Sequence, residues 1–306
     1  MLIKKKVSVV IVNYNVKDLI LTSLRTLYKF NSSENLEVIV VDNHSADDSC
    51  AAIKSEFPQV ILLENDFNAG FPKGNNQGFE LATGEYIFML NPDTEFEDNA
   101  IGLMREYLDQ HSDAWLLAPG LMNSDRSWQQ SAWRYPTITS VFCESFYLRP
   151  FLKKKNYRDK NFNEIFEGET FSGAALFFRK ELLDRIGTLD ETMFWIEDVE
   201  FCWRANHSGY KCLYFPETKL IHHIGQSARK NYNISISNQV YNKVKFFKKH
   251  HSKPATFAII SISLAHVFSK IIVLGILSPF NQTYYLKLKA YLYTVPRVIN
   301  PPEGIT

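Results

Sequence analysis

The chain has 306 residues, 45% hydrophobic and 22% charged, with a formal net charge of +1. That balance suits a folded protein able to bury one large core or two modest ones, and it excludes an intrinsically disordered chain. The charge is unevenly placed: Lys219 to Thr306 holds twelve Lys or Arg and one acid, Glu303, so this segment carries +11 and the first 218 residues carry −10. Such asymmetry points to a membrane or polyanion partner. The lysines lie beside an apolar stretch with no nucleic-acid motif, so no nucleic-acid partner is expected.

Lys4, Lys5 and Lys6 precede the apolar run Val7 to Val12, but this run is short and ends in Asn13-Tyr14-Asn15, so no export signal is expected. Aliphatic runs at 7–12, 38–41, 60–63 and 85–90 read as buried strands of a mainly parallel sheet. Between them, 17–29, 46–56 and 72–82 read as helices. This alternation predicts an α/β fold with right-handed crossovers. In such sheets ligands sit beyond the carboxyl ends of the strands, where Asn13, Asp42 and Asp93 fall. From about 115 to 178 the pattern is irregular and aromatic, which reads either as insertions shaping an acceptor side or as aromatic core beneath long loops. Residues 195–207 read as one helix, with Ile196, Val199, Cys202 and Trp203 on one face and Glu197 and Asp198 in its first turn.

Past Tyr241 the composition changes. Lys243, Lys245, Lys248, Lys249 and Lys253 precede Thr256 to Leu277, 22 residues whose ionisable members are His266 and Lys270. The length would suffice for a span, yet the central lysine favours an amphipathic helix in the interface with its basic residues toward anionic lipid. A buried helical hairpin is the alternative. The predicted organisation is a domain over 1–240, with a first half to about 115 and a second over 116–240, followed by a helical extension over 241–306. The scattered Cys50, Cys143, Cys202 and Cys212 read as reduced thiols of a cytoplasmic protein.

The motifs run in order: Val7 to Asn15, Val38 to Ser45, Asn68-Ala69-Gly70 with Gly74 to Gly78, Leu90-Asn91-Pro92-Asp93, Ser172-Gly173-Ala174, Trp195-Ile196-Glu197-Asp198, and His222-His223-Ile224-Gly225-Gln226-Ser227. Together they resemble the family 2 glycosyltransferases of GT-A fold, especially their rhamnosyltransferase-like branch, over roughly residues 5 to 230. The resemblance implies a GT-A (Rossmann-like) sheet flanked by helices. It also implies an inverting, metal-dependent transfer of a sugar from a nucleotide-diphosphate donor to a saccharide or lipid-linked saccharide acceptor in surface polysaccharide synthesis. The expected location is peripheral, on the inner face of the cell membrane. dTDP-rhamnose is the leading donor. A UDP-hexose donor, galactosyl or N-acetylglucosaminyl, fits the same motifs, and a non-catalytic nucleotide-sugar-binding protein is a reading from another class. A nucleotidyltransferase would have a glycine-rich basic loop after the first strand, which Asn13 to Val16 lacks.

The residues have matching chemistry. Asp42 with Asn13, Asn43 and Ser45 can meet a pyrimidine and ribose, although Asp-Asn-x-Ser is also an ordinary turn and helix cap. Asn68, Gly70 and Asn75 lie in a loop that allows close approach to the nucleotide. Asn91 and Asp93 stand where the family usually has Asp-x-Asp, with Asn91 in place of the first acid, so Asp93 would be the main carboxylate on Mg²⁺ or Mn²⁺. An Asn-Pro-Asp turn closing a strand is the rival reading. The resemblance assigns His222 to the same metal or to the diphosphate, with His223 beside it as a competitor. Glu197 and Asp198 match the family's Glu-Asp pair, whose second member is the general base, while acids at a helix start also favour the helix dipole. Trp195, Arg134 and Arg229 are candidate acceptor or diphosphate contacts.

Overall fold

A computed structural model describes residues 4–148, 157, 160–223 and 232–302. The first half alternates as expected: β1 (Val7–Asn13), α1 (Lys17–Phe30), β2 (Leu36–Asp42), α2 (Ser49–Glu56), β3 (Ile61–Glu64), α3 (Phe71–Leu81) and β4 (Tyr86–Leu90). It continues through β5 (Thr94–Phe96), α4 (Ala100–Gln110), β6 (Ala114–Met122), β7 (Trp128–Gln129), β8 (Ala132–Trp133), α5 (Ile138–Ser145), β9 (Phe166–Glu167), β10 (Thr170–Phe171) and β11 (Ala175–Arg179). Then come α6 (Glu181–Ile186), α7 (Glu197–His207), β12 (Lys211–His222), α8 (Tyr232–His250), α9 (Lys253–Leu277) and α10 (Gln282–Ile299).

The main sheet runs β3-β2-β1-β4-β11-β6-β12-β5. Strands β3, β2, β1 and β4 pair in parallel, and β6 and β12 are parallel to each other, whereas β11 and β5 run against their neighbours. The sheet is mainly parallel, as predicted. Two central strands escaped the sequence reading because β6 contains Pro119 and Gly120 and β11 follows a stretch of turns. The expected helix at 46–56 starts only at Ser49 because side chains hold the preceding backbone in turns: Asp42 accepts from Ser45 N and Asp47 from Lys17 N.

One sheet face buries Val7, Val9 and Ile11 with Ile20, Leu24 and Leu27 of α1 and Ile101, Met104 and Leu108 of α4. The other buries Val10, Ile39 and Val41 with Phe79 of α3 and Phe201, Cys202 and Ala205 of α7. Helix α3 lies very close to β1: a Cβ on Gly78 would come within 2.3 Å of Val10 Cγ1, so this glycine sets helix packing. Ile196, Val199 and Trp203, the opposite side of α7, join a third core with Val244, Phe246 and Phe247 of α8, Ile259 and Val267 of α9 and Val298 of α10. Cys202 therefore faces the sheet while its expected companions face α8. Helix α7 is sandwiched between the two.

The lysines expected to face lipid need a partial correction. Lys243 pairs with Glu144 at 2.9 Å and Lys249 with Asp190 at 2.7 Å and Glu200 at 2.8 Å. Lys245 donates to Thr192 O at 2.5 Å. Lys243 and Lys249 tie α8 to acids of the body and Lys245 ties it to a backbone carbonyl; Lys249, with Arg204, compensates the wholly buried Glu200. All four cysteines are unpaired.

Candidate active site

The residues expected at the nucleotide gather where β1 and β2 finish side by side, Asn13 opposite Asp42. Buried Asp42 accepts from Asn13 Nδ2 at 2.7 Å and from Ser45 N at 2.7 Å, and Ser45 Oγ accepts from Asn15 N at 2.9 Å. Asp42 thus closes a turn, but it caps no helix, since α2 begins seven residues later. Asn43 donates to Gly70 O at 3.1 Å, and Asn68 Oδ1 accepts from Gly70 N at 3.0 Å, which ties the second loop to the first. Gly70 adopts φ +83°, a conformation that favours glycine, and opens α3. Asn75 is wholly buried and donates through Nδ2 to Phe71 O of its own helix at 2.9 Å, while its Oδ1 has no hydrogen-bond partner. Tyr14, which the sequence reading did not select, stands exposed beside Asn13 and offers a flat face.

The next group gathers at the end of β4. Asn91 to Thr94 is indeed a tight turn, with Thr94 Oγ1 donating to Asn91 O at 2.8 Å. Strand β5 then pairs with β12 so that Thr94 lies opposite His222. This register brings His222 Nε2 to 3.4 Å from Asp93 Oδ1 and to 3.4 Å from Asn91 Nδ2. Asn91 Oδ1 is buried without a hydrogen-bond partner. The adjacent histidines differ in the partners of their rings: His223 Nε2 meets Glu95 Oε1 at 2.6 Å and its Nδ1 meets Ser124 Oγ at 2.7 Å, whereas the His222 ring lies by Asp93. No cluster of three or more His, Cys, Asp or Glu that could hold a metal occurs among the described residues. A carboxylate, an imidazole nitrogen and an orphaned amide oxygen still supply part of a hard coordination shell, and this fits a Mg²⁺ or Mn²⁺ that keeps open positions for a diphosphate.

The third group starts α7. Asp198 Oδ2 accepts from Gly173 N at 2.8 Å and Oδ1 from its neighbour Val199 N at 2.7 Å. A Cβ on Gly173 would lie 3.2 Å from Asp198 Cβ, so glycine permits this approach. One residue on, Ala174 O accepts from Asn91 N at 2.8 Å. The Ser172-Gly173-Ala174 segment therefore joins Asp198 to the Asn91-Asp93 turn through adjacent backbone groups. Burial pushes the carboxyls of Asp198 and Glu197 above the usual range, and Glu197 also feels the Asp198 charge. Glu197 Oε2 is buried without a partner. Trp195, just before the helix, has φ +79° and is half-exposed.

Arg134 is paired with Glu169 at 3.3 Å and lies over the Tyr157 ring, at 4.6 Å from its centroid. Arg229 lies outside the described residues, as do Gly225, Ser227 and Lys230. Three positioning contributions were missed. Asn76 clasps the Leu189 backbone from both sides, donating to its O at 2.9 Å and accepting from its N at 3.0 Å. Lys245 and Asn242 of α8 donate to Thr192 O and Phe194 O. Gln129 of β7 meets His222 Nδ1 at 2.8 Å. Only Asn76 lay in a motif, and none of these long-range partners had a periodic signal.

The sequence matches the family described as Glycosyl transferase family 2 over residues 8–187. It is 27% identical over 241 residues to the dTDP-rhamnosyl transferase RfbF of Shigella flexneri, covering 74% of this chain and 72% of that protein. To the N-acetylglucosaminyl-diphospho-decaprenol L-rhamnosyltransferase of Mycobacterium tuberculosis it is 24% identical over 213 residues, covering 64% and 69%. Among solved structures it is similar to the mannosyltransferase PcManGT from Pyrobaculum calidifontis in complex with GDP-Man and Mn²⁺. That match has 16% identity and a TM-score of 0.57, and covers 97% of this chain and 88% of that one. It is also similar to residues 1–349 of TarS from S. aureus, with 17% identity, a TM-score of 0.54 and coverage of 96% and 82%. At these identities the structural likeness shows the fold, which is GT-A. With the family match spanning more than half of the chain, the protein belongs to glycosyltransferase family 2.

Proposed function

We propose that the protein is an inverting, metal-assisted transferase that moves a sugar, with dTDP-rhamnose the leading donor, from a nucleotide diphosphate to a hydroxyl of a saccharide or lipid-linked saccharide. The observation that carries this reading is the backbone link that sets the Asp198 carboxylate beside the Asn91, Asp93 and His222 group. Asn13, Asp42, Asn43 and Ser45 form the base and ribose end, with Tyr14 as a stacking face. Asp93 and His222 would hold the cation, which when bound would supply neutralisation of the charge on the leaving diphosphate. Asp198 takes the proton of the acceptor hydroxyl as its oxygen attacks the anomeric carbon opposite the diphosphate. A new glycosidic C–O bond forms, the bond from that carbon to the diphosphate breaks, and the configuration inverts.

Partially excluding water around Asp198 suits this role, because a base whose carboxyl is raised holds the abstracted proton better. A binding protein of the same fold would gain nothing from such burial. Glu197 beside it is raised by burial and by the Asp198 charge, so the two adjacent carboxyls oppose ionising together. The Trp195 face is placed for an acceptor ring. The inner face of the cell membrane is the proposed location, and exposed apolar residues of α9 and α10 support it.

A thermal-shift panel of dTDP, UDP, GDP and CDP with and without Mn²⁺ tests the reading, since a ligand that binds the folded state raises its apparent stability. Metal-dependent stabilisation by dTDP is expected. The same response to UDP alone would move the donor to a UDP-hexose, and no response to any nucleotide would overturn the assignment of this cleft.

A further inference from the structure

Gln129 sits on the two-residue strand β7, paired opposite Leu121 of β6, with its side chain buried beneath His222. Its surroundings fix which end of its amide points where. Asn123 Nδ2 donates to Ser127 Oγ at 2.9 Å and to the Trp128 carbonyl at 3.4 Å, and a carbonyl can only accept. That leaves Asn123 Oδ1 facing Gln129 at 3.0 Å. The group of Gln129 facing it must donate, and the same group lies 3.1 Å from the backbone carbonyl of His222, a second pure acceptor. Both contacts identify it as the NH₂.

The other end of the amide is then an oxygen, and it lies 2.8 Å from His222 Nδ1. An amide oxygen only accepts, so Nδ1 must carry hydrogen. A neutral imidazole has one N–H, and its Nε2 is left with a lone pair. Turning the Gln129 amide over to suit the opposite tautomer would set its oxygen against the His222 carbonyl and Asn123 Oδ1. Two bonds would be exchanged for two repulsions.

We propose that Gln129 is a positioning residue that holds the His222 ring in the Nδ1–H tautomer and so aims the Nε2 lone pair at the cation position beside Asp93. This rests on the reading of Asp93 and His222 as the cation-holding pair. The geometry carries it further than orientation alone, since in this tautomer Nε2 accepts only a long 3.4 Å contact from Asn91 Nδ2 and faces a second acceptor, Asp93 Oδ1, at 3.4 Å. A positive centre between them relieves that opposition. The chain Asn123, Gln129, His222 is the outer support of the site, and the irregular middle segment supplies two of its three members.

The test uses the full-length protein labelled with ¹⁵N-histidine and kept metal-free. Long-range ¹H–¹⁵N spectra, with the His222 signals assigned by their loss in His222→Asn, should show the neutral ring protonated on Nδ1. Gln129→Leu should abolish that preference and weaken Mn²⁺ binding in the presence of dTDP, read by electron paramagnetic resonance, by about 10–100-fold, the usual effect of losing an outer partner of a metal-binding histidine. Thermal unfolding of Gln129→Leu followed by circular dichroism, expected to keep a cooperative transition, controls for damage to the fold. A wild-type ring protonated on Nε2, or wild-type Mn²⁺ affinity in a folded Gln129→Leu variant, would overturn the role of Gln129. Absence of Mn²⁺ binding by the wild-type protein would overturn the cation reading itself and this inference with it, and the spectra separate that failure from the first.

Discussion

On the proposed diphosphate side, Asn91, Asp93 and His222 are delivered by strands: a turn ends β4, and pairing of β5 with β12 sets His222 opposite Thr94. On the acceptor side, Asp198 opens a helix whose approach is hung from individual side chains. Asn76 holds Leu189, Lys245 holds Thr192, Asn242 holds Phe194 and Lys249 pairs with Asp190. A sheet register fixes a group through many backbone bonds at once, whereas a segment hung from single side chains shifts when one is lost. The contrast also recasts the charge asymmetry. Part of the opposition between the basic tail and the acidic body is satisfied inside the molecule, at Glu144, Asp190 and Glu200.

Removing the reactive group from the acceptor side should give the largest effect. Asp198→Asn is expected to lower turnover by about 10²–10⁴-fold while leaving nucleotide binding, on the strand-built side, unchanged. Unaltered turnover would remove Asp198 from the mechanism. The pH dependence sharpens the point. Because burial raises the Asp198 carboxyl, the ionised base is lost as pH falls through a value above the ordinary carboxylate range. The acid limb of kcat/KM should sit there in the wild-type enzyme and be absent from the residual activity of the variant.

Lys245→Met tests the hanging itself. The ammonium on Thr192 O disappears, and with it one of the side-chain bonds that hold the approach to α7. Because displacements near 1 Å can cost about 10²-fold in rate, turnover should fall by up to about that factor, with UDP or dTDP affinity kept. A loss of nucleotide affinity equal to the loss of turnover would show that the two sides of the cleft are not independent.

This division explains what was legible in the sequence. Strands β1, β2 and β4 are continuous apolar runs, and the groups at their ends, Asn13, Asp42 and Asp93, could be placed by periodicity alone. Strand β6 hides its run behind Pro119 and Gly120, so the reversed β11 beside it went unseen, and with it the backbone path from Asn91 to Asp198. The lysines of α8 looked like a basic stripe because the acids that take them lie about 50 to 100 residues earlier in the chain. Glycine was legible as glycine but not by purpose: Gly70 serves the loop, while Gly74 and Gly78 let α3 lie against Val12 and Val10.

The smallest effect on chemistry, and a different effect on location, is expected from the far end of the extension. Helix α9 with the turn after it, Lys253–Phe280, is the one helix among the described residues long and apolar enough to cross a membrane by length and composition. Its inward stripe, Ile259, Ser263, Val267 and Leu274, is buried, whereas Ile272, Ile276 and Phe280 are 66%, 67% and 85% exposed. A hairpin of α9 and α10 that packs on α8 along one side and is apolar on the other is suited to lying in an interface, with its tip among lipid chains. Replacing Ile272, Ile276 and Phe280 together by Ser should leave turnover on a soluble acceptor unchanged, since none of them belongs to the cleft. Each such side chain contributes about 1.5–3 kcal/mol when fully buried, so even partial insertion predicts at least a tenfold loss (about 1.4 kcal/mol) of sedimentation with phosphatidylglycerol vesicles. Undiminished binding that disappears with salt would move the anchor to Lys248, Lys253, Lys287 and Lys289. The basic tail would then act on the membrane through the lysines that α8 does not use to hold the acceptor side.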